Sequence, residues 1–228
     1  MKRFLFFVIA GVGMAPLASS GPVCASGTLA SYILLGSGGC TIGGNVLYDF
    51  HVDSGTAGAT PIAPSSITIT PFGGSYNLGL TESVGLTANA GKQLEAIFTY
   101  EISGEKYVGD SVTLSGSSET GDGGVTDIQN YCAGGKFGPG GVTGCTGNPG
   151  NLTTLDGVQN YDSSAYGAGT PLSVTDDFDL DGGLGGSASG GTFTDGFTAV
   201  PEPFSFLLTG IGIALAAGLK LFAKRTAC

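Results

Sequence analysis

Three features of this 228-residue chain predict an all-β protein, an antiparallel β-sandwich of jelly-roll or immunoglobulin-like form. Short β-branched and aromatic runs alternate with polar residues at a period of two, and no amphipathic helix lies between them. Glycine accounts for 43 of the 228 residues and clusters with Ser and Thr between those runs, as many turns require. The glycines follow no Gly-X-Y period, which argues against collagen.

Taken in order, Leu29–Leu35 is a short apolar run, readable as a strand or one helical turn. Val46–Val52 alternates, with Val46, Tyr48, Phe50 and Val52 on one face and Asp49, His51 and Asp53 on the other. Ser66–Thr70 is a strand by its β-branching. Gln93–Ile102 is the longest strand, with Leu94, Ala96, Phe98, Tyr100 and Ile102 inward and Glu95, Thr99 and Glu101 outward. Tyr107–Leu114 follows a Gly104-Glu105-Lys106 turn, so these two strands predict a hairpin. From about Gly116 to Gly150 the chain reads as loop, a length uncommon unless it is stapled or functional. Leu172–Leu180 alternates again, and Ser187–Ala199 gives a weaker last strand.

Both ends differ in kind from this middle. Met1-Lys2-Arg3, the apolar run Phe4–Ala10 and the small residues Ala18-Ser19-Ser20 form a signal peptide over residues 1–20, addressed to the Sec translocon. At the other end, Val200-Pro201-Glu202-Pro203 precedes an apolar stretch, Phe204–Phe222, with Lys220 its single charge. As a helix those 19 residues would reach about 28 Å, close to the ~30 Å hydrocarbon core. Lys220, Lys224 and Arg225 form a basic stop of the kind that stays cytoplasmic.

This three-part tail, residues 200–228, resembles the PEP-CTERM sorting domain of exosortase substrates. The resemblance implies an inner-membrane-anchored precursor that an exosortase-like enzyme cuts near Pro201-Glu202-Pro203. The 21–199 domain would then pass to the cell surface of a bacterium or to an extracellular polysaccharide matrix. The stretch from Ser26 through Gly39-Cys40-Thr41 to Asp49-Phe50 also looks like the opening of many exported PEP-CTERM proteins and lends no catalytic residue.

Within residues 21–199, three lysines (Lys92, Lys106, Lys136) stand against seventeen acids, a balance that argues against nucleic acid or anionic lipid as a partner. Cys24, Cys40, Cys132 and Cys145 form an even set, read as disulfides in an exported chain. Sequence leaves three pairings open, and the local pairs Cys24–Cys40 and Cys132–Cys145 are preferred. A bridge closing such a loop contributes about 3 kcal/mol. Zinc is disfavoured, since no Cys-x-x-Cys or His pair occurs.

Asp177-Phe178-Asp179-Leu180-Asp181-Gly182 has the Asp-x-Asp-x-Asp-Gly opening of a calcium loop. The position needing a bidentate Glu is Ala188, so the alternatives are a weak calcium site through Asp177, Asp179 and Asp181 or an edge strand with acids facing water. His51 flanked by Asp49 and Asp53 lacks a third group fixed by spacing and reads as a solvated face. No Gly-x-Ser-x-Gly elbow occurs, and an abundance of acids does not define a glycosidase pair. The expectation is a non-enzymatic surface or matrix protein without a cofactor beyond weak calcium. The alternative is a carbohydrate-binding module built on Tyr76, Tyr107, Tyr131, Tyr161 or Tyr166, against which the absence of Trp counts.

Overall fold

The structure, a computed structural model, describes residues 21–138 and 143–200. The expected signal peptide and the sorting tail from residue 201 onward lie outside the described residues. In chain order the strands are β1 (Gly27–Thr28), β2 (Cys40–Ile42), β3 (Asn45–Val52), β4 (Thr60–Pro61), β5 (Ile67–Gly73), β6 (Asn77–Val84), β7 (Thr87–Asn89), β8 (Gln93–Ser103), β9 (Lys106–Ser115), β10 (Ser118–Thr120), β11 (Gly124–Ala133), β12 (Asn148–Leu155), β13 (Tyr161–Gly169), β14 (Leu172–Asp181), β15 (Ser187–Ser189) and β16 (Thr192–Val200). One sheet has the order β1-β5-β6-β16-β9-β13, and the facing sheet β12-β11-β14-β8-β3-β2, with β4 added in parallel to β8. A small sheet, β10-β15-β7, lies beside them. In each large sheet a late strand inserts between two earlier ones: β16 between β6 and β9, β14 between β8 and β11.

The two large sheets bury their alternate side chains against each other. Phe98, Tyr100, Ile102, Val174, Phe178 and Leu180 of one meet Leu78, Leu80, Val112, Leu114, Phe193 and Phe197 of the other. Phe178 and Phe193 stack with centroids 4.0 Å apart, and Tyr100 meets Phe197 edge-on at 6.4 Å. The Leu29–Leu35 run is mostly one short helix, α1 (Leu29–Ile33), started by Thr28, whose hydroxyl accepts from the Ser31 N–H at 3.2 Å. It buries Leu29 and Tyr32.

Both local disulfides are present, Cys24–Cys40 and Cys132–Cys145. The first ties the start of the described chain to β2, and the second staples the end of β11 to the connection that follows it.

Several expectations are corrected. The alternation of Val46–Val52 is broken at Asp49, which has φ 54°, and the pairing of β3 with β8 slips between Tyr48 and His51. The extra residue inverts the face, so Asn45 and Leu47 point inward before it and Phe50 after it, while Val52 is exposed. β8 and β9 form no hairpin: β8 pairs with β14 and β3, and β9 with β16 and β13. The Glu105 N–H goes to Asn45 Oδ1 at 3.1 Å instead of back to β8, and Gly104, at φ 127°, lets the chain leave one sheet for the other. The expected loop from Gly116 to Gly150 contains β10 and the central strand β11 and the start of β12. Glu95 and Thr99 do face away from the sandwich centre, yet both are buried. The Glu95 carboxylate accepts from the Thr56 N–H and hydroxyl, and the Thr99 hydroxyl donates to Asp53 at 2.6 Å, so residues 53–56 are held over that face.

Removing one ring of the Phe178–Phe193 stack leaves a cavity between the sheets. Phe178→Ala should lower stability by about 3–5 kcal/mol, read as a fall in urea midpoint at unchanged slope.

Candidate functional site

Strand alternation places polar groups at positions where the sandwich needs apolar ones. On β6 the inward row is Leu78, Leu80, Glu82, Val84; on β16 it is Phe193, Asp195, Phe197; on β9 it includes Asp110, Val112 and Leu114. From the facing sheet come Asp127 and Gln129 on β11, between Val125 and Tyr131, and Asp176 on β14, between Val174 and Phe178. Gln129 lies directly opposite Asp176 in register, and Asp127 opposite Thr154 of β12. Five carboxyl groups are therefore enclosed, none more than 3 % exposed.

Carboxylate oxygens of Glu82, Asp176 and Asp195 lie within 4.8 Å of one another. Two unit charges at that distance repel by about 3.5 kcal/mol at an effective dielectric of 20. The Tyr100 hydroxyl donates to Asp195 Oδ2 at 2.9 Å. Both carboxyl oxygens of Glu82, Asp110, Asp127 and Asp176, as well as Asp195 Oδ1, have no hydrogen-bond partner among the described residues. Neither do both amide atoms of Gln129 and the Thr154 hydroxyl. Burial first, then mutual repulsion, pushes the carboxyls of Glu82, Asp127 and Asp176 well above the usual range; burial and Asp195 do the same for Asp110. Burial raises Asp195 to about 7, held back by the Tyr100 hydroxyl and by the Gln129 amide, which lies alongside without a well-aligned hydrogen bond.

No cationic side chain among the described residues can neutralise this interior, because Lys92, Lys106, Lys136 and His51 all sit at the surface. The donors are oxygen throughout, apart from the Gln129 amide nitrogen. That composition suits a hard cation.

The acids singled out from sequence lie elsewhere. Asp177, Asp179 and Asp181 occupy the outer face of β14, a central strand of its sheet and not an edge, and they run extended instead of curling into a loop. Asp179 accepts from Gln93 Nε2 at 2.8 Å and stands opposite Glu95; Asp181 accepts from the Gly183 N–H at 2.8 Å. Ala188, the expected twelfth position, lies on β15. Burial, then Glu95 and Asp179, push Asp177 up to about 6.

His51 is exposed, with Nδ1 2.9 Å from the Asp49 carbonyl and Nε2 3.7 Å from Asp53. The five tyrosines do not form one platform: Tyr107 and Tyr131 are buried, Tyr166 packs on Tyr131 at 4.8 Å, and Tyr76 and Tyr161 are exposed. A surface cleft of about 520 Å³ is lined by Gly58, Lys92, Gln93, Asp122, Asp181 and Leu184. The Asp122 oxygens there already accept from the Leu184 and Gly185 N–H groups.

The interior acids leave a signal in the sequence that a search for apolar alternation passes over. Each falls in phase with the apolar residues of its strand, as Asp176 does between Val174 and Phe178.

Fold and interior together define a disulfide-bonded all-β sandwich with a sealed acidic centre. No family model, curated protein or solved structure matches the chain.

The raised Asp177 carboxyl makes a prediction with a definite sign. Its folded value lies above the unfolded value near 3.8, so its contribution is full at low pH and is lost as pH rises from about 4 through 6. Asp177→Asn should therefore gain stability relative to the parent at pH 7 but not at pH 4. The gain should stay below about 1 kcal/mol because the group is partly solvated, as read from paired urea melts.

Proposed function

We propose that this chain is an exported, non-enzymatic protein of the bacterial cell surface or extracellular matrix, released by an exosortase-like enzyme that cuts its tail near Pro201-Glu202-Pro203. The observation that carries the reading is the pair of local disulfides, Cys24–Cys40 and Cys132–Cys145, in an all-β sandwich. In the sequence, the Val200-Pro201-Glu202-Pro203 motif, the apolar stretch and the basic stop follow this sandwich. A sandwich held by two disulfides suits an oxidising space outside the cytoplasm.

We further infer a jelly-roll. Its eight core strands would be β6-β16-β9-β13 in one sheet and β8-β14-β11-β12 in the other, the insertion pattern of two Greek keys. The fold by itself assigns no activity. What supports a non-catalytic role is that the cluster of acids around Asp195 among the described residues is closed to any substrate. The burial of Tyr107 and Tyr131 weakens the carbohydrate-binding alternative.

Intact-mass analysis of the surface-exposed form tests this. The expected species starts near Gly21, ends near Pro201 and carries two disulfides. A chain still bearing residues 201–228 in the surface fraction, or a reduced chain in the cytosol, would overturn it.

A further inference from the structure

We propose that the interior of the sandwich is a cation site: Glu82, Asp176 and Asp195, with the Gln129 side chain beside them, hold a calcium ion between the two sheets. This goes beyond the surface-protein reading and does not require it.

The acids alone do not make the site; the groups around them do. Gln129 is wholly buried on the inner face in register with Asp176, its side chain lies near enough to Asp195 to act on that carboxyl, and neither its carbonyl nor its amino group makes a well-formed hydrogen bond among the described residues. Thr154, also wholly buried, leaves its hydroxyl unpartnered opposite Asp127. A buried amide and a buried hydroxyl are normally satisfied, and leaving one unmade costs about 1–3 kcal/mol. These neutral groups beside carboxyl oxygens that also lack partners indicate a ligand that accepts electron pairs. A bare apolar core would need none of them.

The donor set selects the ion. One oxygen each from Glu82, Asp176 and Asp195 converges within 4.8 Å, and the second oxygens of Glu82 and Asp176 and the Gln129 carbonyl are unpartnered as well, a pool of six. Calcium takes six to eight oxygens at about 2.3–2.6 Å in flexible geometry. Magnesium keeps several waters and demands a near-octahedral arrangement, a poor match to carboxylates that are at most 1 % exposed. Softer metals lack their ligands, since the four described cysteines are in disulfides and His51 is on the surface. Glu82 comes from β6, Asp195 from β16 and Asp176 from β14, so one ion joins both sheets. Its binding is therefore folding energy.

The rival is a nest of protonated carboxylic acids with no ion. Elemental analysis separates the two on the full-length chain purified without chelator and dialysed against metal-free buffer. About one equivalent of calcium should remain. Calcium chelation should lower the melting temperature by about 5–10 °C, and added calcium should restore it. Asp176→Asn and Glu82→Gln should lose the ion, while Asp177→Asn, on the outer face, should keep it. The proposal is overturned if no divalent metal is retained and neither chelator nor calcium moves the melting temperature. It is also overturned if Asp176→Asn melts higher than the parent, as neutralising an empty acid nest would make it. An equivalent of a transition metal in place of calcium would overturn the choice of ion. The wild-type elemental result stands even if a variant fails to fold.

Discussion

Five carboxyl groups lie between two apolar sheets, and no lysine, arginine or histidine among the described residues reaches them. Burying a single charge costs several kcal/mol after relaxation, and a folded domain holds only about 5–15 kcal/mol in total. The sandwich therefore cannot carry these groups ionised and uncompensated. At no more than 3 % exposed, they are out of reach of the bulk water that would otherwise screen them. Stability of the two-sheet arrangement thus depends on what neutralises Glu82, Asp110, Asp127, Asp176 and Asp195.

The chain order makes this dependence global. β16 and β14, which carry Asp195 and Asp176, are the strands that insert between earlier ones to complete each sheet. A bond through Asp176 and Asp195 fixes the two late strands to each other across the sandwich. The disulfides act further out, Cys24–Cys40 beside the short helix α1 and Cys132–Cys145 beyond the end of β11. Central ion and peripheral bridges would then divide the work between interior and margin.

Much of the architecture was legible in the sequence. Period-two runs separated by glycine-rich turns gave the all-β sandwich, and the spacing of Cys24 to Cys40 and Cys132 to Cys145 favoured the local bridges that the structure contains. The failures have physical causes. β11 escaped notice because Asp127 and Gln129 occupy two of its inner positions and erase the apolar period. β6 was hidden in part by Glu82. A single bulge at Asp49 inverted the face of β3, and the Asn45 side chain diverted the β8–β9 turn out of its sheet. The residues that concealed the strands are the same ones that form the acidic centre. Alternation is legible as a hydrophobicity pattern, so a polar residue in the buried phase resembles an interruption. The outer row Asp177, Asp179, Asp181 drew attention because its spacing matches a loop motif, but an extended strand displays the same spacing.

The most direct measurement is a crystal of the untreated protein with diffraction recorded near the calcium absorption range. A filled site predicts one anomalous peak bounded by the carboxylates of Glu82, Asp176 and Asp195, at about 2.3–2.6 Å from their oxygens. An interior without such a peak, in which those carboxyls pair directly at the roughly 2.5–2.7 Å of a shared proton, would contradict it.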